Sequence, residues 1–214
     1  RSTGGVSTST IVRNAGIGIL VSDHSDITVT STSVANQGGD GVFVTTSSAA
    51  AISDSTLSEN AAQGLHVNDG SARVVSSTVS KNKLSGVFVE AGGACEVADS
   101  AVFENAVDGA TVDAASATIA GGTVRANTRY GVYVYGGGRG EVRKGCVVSD
   151  NGIDGGRIES AVGALDGSEI RSNERHGVSA TTGAEGSIAA STVSGNAAEG
   201  VLADASRVDI ATSS

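Results

Sequence analysis

The 214 residues include 31 Gly, no Pro, Met or Trp, and only three Phe and three Tyr. Such a chain lacks the large anchors of an ordinary globular core, and its Val, Ala, Ser, Thr and Gly favour β-structure built from many small, similar layers. A mean hydropathy of +0.05 with 17% charged residues excludes an ordinary disordered chain, and no apolar run approaches the roughly 18 residues of a membrane span. The net charge of −9 argues against nucleic acid as a partner, because binding phosphate needs Lys and Arg in excess.

A repeat organises the whole chain. Gly18, Gly41, Gly64, Gly86, Gly109, Gly131, Gly155, Gly177 and Gly200 each open a Gly-apolar-x-apolar tetrapeptide, in steps of 22–24 residues. Seven residues before each Gly stands an aliphatic residue: Ile11, Val34, Leu57, Val79, Val102, Val124, Val148, Ile170 or Val193. Four residues before it stands Asn14, Gln37, Asn60, Asn82, Asn105, Asn127, Asn151, Asn173 or Asn196. Gly and β-branched residues recur at interior positions and no 3.6-residue stripe survives, so a helical reading fails.

Each copy predicts three short strands. The first is Gly-Val-x-Val, as at Val42-Phe43-Val44. The second carries a further aliphatic ten or eleven residues after the Gly, from Val29 and Ile52 through to Ile210. The third is Ser-x-Val, as at Ser77-Thr78-Val79. Length variation falls in the turn after the first strand, with one extra residue near Cys146. A 23-residue unit cannot bury its apolar face alone, so copies must stack, strand on equivalent strand. The expected fold is all-β: a right-handed parallel β-helix of about nine coils of 22–24 residues, since parallel crossovers are overwhelmingly right-handed. Stacked Asn would bond layer to layer and tolerate a left-handed turn conformation. A second ladder of Ser9, Thr32, Ser55, Ser77, Ser100, Ser168 and Ser191, interrupted by Gly122 and Cys146, would place hydroxyls inward. Both ladders are structural, not nucleophile sets. Cys95 and Cys146 fall in different strands about two layers apart, and are expected as buried free thiols.

The chain starts at Arg1 rather than Met, and the repeat is already running at Ile11 and still running at Ile210. The expectation is a single β-helix domain over 1–214 that is a fragment of a longer chain. Uncovered sheet ends would then stack on further domains or subunits.

The repeat Val-x-x-Asn-x-x-x-Gly-Val-x-Val, from Val6 to Ile210, resembles the parallel β-helix repeats of the pectate-lyase-like superfamily. That resemblance implies the fold; enzymes, adaptors and structural proteins share it. It also implies that a substrate would lie along the outer face of one sheet, for which the Gly-Val-x-Val sheet looks equivalent. The outward residues of that sheet include Phe43, His66, Phe88, Tyr133 and Arg157, flanked by Tyr130 and Tyr135. Flat aromatic faces spaced by layers suit sugar stacking or an extended peptide. The favoured reading is a non-catalytic scaffold and recognition module of a larger protein, binding a protein or a polysaccharide along this face.

The alternative is a lyase or epimerase acting on acidic sugars. Tyr130, Asp154 and His176 stand in consecutive layers with Arg157 beside them. A Tyr/His pair oriented by Asp, with Arg neutralising a uronate, suits proton abstraction next to a carboxylate. With no Pro, the Asp-Pro-His signature of the alginate epimerases is absent. Asn127-Thr128-Arg129 stands where a polygalacturonase would carry Asn-Thr-Asp, and Arg157-Ile158-Glu159 precedes Arg175-His176-Gly177, inverting that family's order. For metals, His24, His66 and His176 lie layers apart and cannot share a zinc. Glu90 with Asp113, or Asp108 diagonally, leaves calcium as the one cofactor to consider, against a solvated acidic face.

Overall fold

A computed structural model describes residues 2–212; Arg1, Ser213 and Ser214, and with them the two ends of the expected 1–214 domain, lie outside the described residues. Among these there are 28 strands and no helix. The strands fall into three parallel sheets of nine, ten and nine, each inner strand pairing with its equivalents one coil before and after. The first sheet holds the Gly-Val-x-Val strands, such as Val42–Thr45 and Val87–Glu90. The second holds five-residue strands such as Ala49–Ser53, and the third three-residue strands such as Thr56–Ser58. Register follows the sequence columns: Phe88 pairs with His66 and Thr111, and Val79 with Leu57 and Val102.

Inside runs one column of aliphatics. Val42, Val44, Leu57, Leu65, Val67, Val74 and Val79 are all fully buried. At roughly 1.5–3 kcal/mol per buried Val or Leu, this column is the main favourable term of the fold. The repeat Gly has its place through crowding. A Cβ on Gly64 would come within 2.5 Å of Val79 Cγ1, 2.7 Å of Asn82 Nδ2 and 2.8 Å of the Gly86 carbonyl oxygen.

Asn60 shows the ladder. The Oδ1 of Asn82 accepts both the Asn60 backbone N–H at 3.1 Å and its Nδ2 at 2.9 Å. Asn82 Nδ2 in turn donates to Asn105 Oδ1 at 3.0 Å and back to the Leu57 carbonyl at 3.2 Å. Each Asn thereby ties three layers. Gln37 keeps its place although its side chain is one carbon longer. Its Oε1 accepts from Asn14, but its Nε2 turns to the Ile11 and Ala35 carbonyls.

One detail differs from the sequence reading. The ladder Asn do not take the left-handed conformation; the residue before each does, with φ of 57° at Glu59 and Lys81 and 55° at Glu104. The reason is geometric: the chain turns before the ladder residue, leaving its amide aligned along the stack. The Ser hydroxyls bond along the stack through backbone partners. Ser77 Oγ accepts the Ser55 N–H at 3.1 Å and donates to the Val75 carbonyl at 2.7 Å, because the next layer's N–H is the nearer partner. The extra residue near Cys146 is accommodated by positive φ at Lys144 and Gly145. Cys95 and Cys146 are free and buried, and burial pushes both thiols up to about 12.

Candidate functional site

Alternation along the first sheet turns the middle residue of each strand outward, so Phe43, His66, Phe88, Thr111, Tyr133, Arg157 and Ser179 form one column in register. The last strand residues, including Asn68, Glu90, Asp113, Tyr135 and Glu159, run beside it, and the residues before each Gly edge the other side. The face divides into two halves.

In the earlier half, His66 lies between Phe43 and Phe88, with ring centroids at 4.4 and 5.1 Å. Its Nδ1 is 3.2 Å from Asp40 Oδ2 and its Nε2 3.0 Å from Glu90 Oε1. Asn68 Nδ2 donates to the same Glu90 oxygen at 2.7 Å. Burial pulls the imidazole pKa down, but the hydrogen bonds and charges of Asp40 and Glu90 outweigh it and hold the group above its ordinary value. The aromatic faces expected to meet a ligand are therefore spent largely on one another.

In the later half, Tyr130, Tyr133 and Tyr135 crowd a single coil, with centroids 5.1 and 4.7 Å apart. The Tyr133 hydroxyl donates to Glu159 at 3.0 Å, while Tyr135 is held by Asp113. Burial and these carboxylates push both phenols up to about 12. Arg157 donates to Glu159 and to Thr181 Oγ1, and its guanidinium lies 5.8 Å from the Tyr130 ring. The Arg129 guanidinium lies over the same ring at 4.9 Å.

Of the four candidate catalytic residues, Asp154 is fully buried and already saturated. Arg175 grips it bidentately at 2.8 and 2.7 Å, Ser179 Oγ donates at 2.6 Å and the His176 backbone N–H at 3.1 Å. Desolvation raises its pKa, yet the bonds from Arg175, Ser179 and His176 win and hold the carboxyl below the usual range. It thus fixes the His176 backbone. The His176 ring points elsewhere, with Nδ1 2.9 Å from Glu199 Oε2 but without hydrogen-bond alignment.

Asp154 belongs to a pattern that the sequence reading passed over. At the position before the Gly, Asp40, Asp108 and Asp154 each accept the backbone N–H of the next layer, from Gln63, Tyr130 and His176. Each second oxygen reaches an outward residue: His66, Thr111 or Ser179. Recurrence of Asp at one column position was the available signal. Asp40, Glu90, Asn68 and Glu159, the partners of the outward residues, share the 22–26-residue offsets of neighbouring coils.

Glu90 and Asp113 do lie on adjacent strands in register, but they face different partners, His66 and Tyr135. Among the described residues no three His, Cys, Asp or Glu converge as a metal site requires. A depression of about 530 Å³ runs over the second sheet, lined by small residues such as Ala49, Ala51, Ser71 and Ala94 with Arg73 and Glu96. It offers no ring and no converging donors, whereas a smaller one of about 210 Å³ opens on the first sheet between Phe88 and Tyr133.

The family model for the right-handed β-helix region matches residues 1–102 and 108–213. The chain belongs to that family. Among solved structures it is similar to the A-module of an Azotobacter vinelandii mannuronan C-5 epimerase, at 13% identity and TM-score 0.73, over 93% of this chain and 72% of that one. It is also similar to a variant of the periplasmic alginate epimerase AlgG, at 13% identity and TM-score 0.70, over 89% and 61%. A third likeness is tailspike protein 2 of an Escherichia coli O157:H7 bacteriophage, at 13% identity and TM-score 0.68, over 97% of this chain and 34% of that one. At these identities the likeness is one of fold. No curated protein matches.

Proposed function

We propose that the outer face of the first sheet binds a polysaccharide chain and does no chemistry on it. The observation that carries this reading is the state of Asp154. It is buried, ionised and bonded to Arg175, Ser179 and the His176 backbone, so it has no free lone pair with which to orient a proton-transferring ring. The outward Tyr133, Arg157 and Arg129 remain at the surface, amphipathic groups of the kind that meet sugar rings and hydroxyls. Two of the similar solved structures are named as alginate or mannuronan epimerases and another as a pectate lyase, which supports a polysaccharide as the elongated partner over a protein.

One observation favours the alternative of an acidic-sugar lyase or epimerase: Tyr130 lies under the guanidiniums of both Arg129 and Arg157, one layer before Asp154 and two before His176. The two readings separate in a single experiment. The protein is incubated with alginate and with pectate while absorbance of unsaturated product and uronate configuration by NMR are followed, alongside affinity electrophoresis on the same polymers and on neutral glucans and mannans. Retarded migration in at least one polymer without product is expected. Turnover that Tyr130→Phe or His176→Ala abolishes would establish the enzyme instead.

A further inference from the structure

The rings on the first sheet are stacked along the solenoid axis until the stack breaks. Phe43, His66 and Phe88 follow one another layer by layer, each ring face covered by the next. Phe88 has His66 on one face; the other looks toward the adjacent coil, where the column supplies Thr111 instead of a ring. Tyr133 resumes the aromatic column one layer further on, about 9.6 Å from Phe88 at two strand spacings. The missing ring leaves the 210 Å³ slot, walled by Phe88 and Tyr133 and edged by Leu84, which is 40% exposed. Pockets for drug-sized ligands begin at roughly 300 Å³, so this one has room for a single ring and not for an oligomer.

The polar groups of the slot are placed for hydroxyls. Ser85 Oγ and Thr111 Oγ1 stand 2.8 Å apart, and Thr111 Oγ1 donates to Asp108 Oδ2 at 3.0 Å. The charged groups lining it are Asp108 and Arg129, whose Nε already faces Asp108 at 3.8 Å, while Glu90 and Asp113 act on Tyr135 at its edge and Glu90 is bonded to His66. A guest carrying a carboxylate would meet Asp108 and a guanidinium that already faces it. Resting on the reading that this face binds polysaccharide, we propose that the slot between Phe88 and Tyr133 is a subsite for one neutral pyranose unit. The sugar's C–H face packs on the open face of Phe88, completing the interrupted stack, and its hydroxyls bond to Ser85, Thr111 and Asp108.

The test is calorimetric titration of the whole chain with three probes: cellohexaose, mannohexaose and a hexamer of galacturonate. A neutral hexasaccharide is expected to bind about tenfold or more tighter than the uronate. Thr111→Phe, which fills the slot with the missing ring, and Phe88→Ala should each weaken neutral binding by about tenfold or more. Thr111→Val keeps the shape and removes the hydroxyl, so a several-fold loss there carries the test if the larger side chain disturbs the fold. Neutral binding that survives all three variants and is lost in Arg157→Ala would overturn the subsite and leave the wider face standing. Preference for the uronate would also overturn it, and binding of no glycan would sink the face and the subsite together.

Discussion

His66 illustrates how a residue's neighbours decide its role. A histidine on a binding face invites a catalytic reading, but this one is stacked between two rings and clamped by a carboxylate at each nitrogen. Clamped in this way the ring plays a structural part, and its charged form is favoured. Its folded pKa lies above the unfolded value of about 6.5, so its contribution to stability is fully present below that value and fades as pH rises through the folded pKa. Thermal melts across that window should fall with rising pH in the native chain, and His66→Gln should flatten the decline. Asp154 works in the opposite sense: its depressed pKa supplies stability at neutral pH that is lost only as strong acid protonates it. Both roles were hidden in the sequence because they depend on partners one coil away. Asp40 and Glu90 look like scattered surface acids until coil is set on coil.

At the scale of the strand and its corner, the repeat was nearly transparent. Nine Gly at 22–24-residue spacing, with an aliphatic seven before and an amide four before, place every first- and third-sheet strand and both ladders. The amide column was legible because identical side chains stacked at the strand spacing have one obvious way to bond. The left-handed residue before it was not. Arg13, Glu59, Lys81, Ala126 and Asp150 share no side-chain chemistry, and only the backbone makes them equivalent. The importance of the ladder can be measured. Asn82→Ala strips the Asn60 amide and backbone N–H of their acceptor and leaves them buried. At about 1–3 kcal/mol for each of the two unsatisfied groups, a loss of roughly 2–6 kcal/mol is expected in denaturant unfolding, with little change from Lys81→Ala at the exposed neighbouring position. Equal losses from both would show that the ladder is dispensable.

For the whole molecule, the same periodicity that made the fold readable obscured the function. Every column serves stacking first, so a column of Asp, Ser or Asn is conspicuous in the sequence without being chemical. Tyr130, Asp154 and His176 do stand in successive coils as the spacing predicts, but their side chains turn to Arg129, Arg175 and Glu199. What distinguishes the face is an interruption: Thr111 in an aromatic column, one residue whose meaning appears only when the rings on either side are seen in three dimensions. The larger depression on the second sheet gives the account a built-in rival. Side-chain NMR of the isotopically labelled chain, titrated with the neutral hexasaccharide that binds best, discriminates between the two surfaces. Shifts centred on Phe88, Thr111, Tyr133 and Tyr135 are predicted; shifts centred on Ala51, Arg73 and Glu96 would contradict the assignment of the binding face to the first sheet.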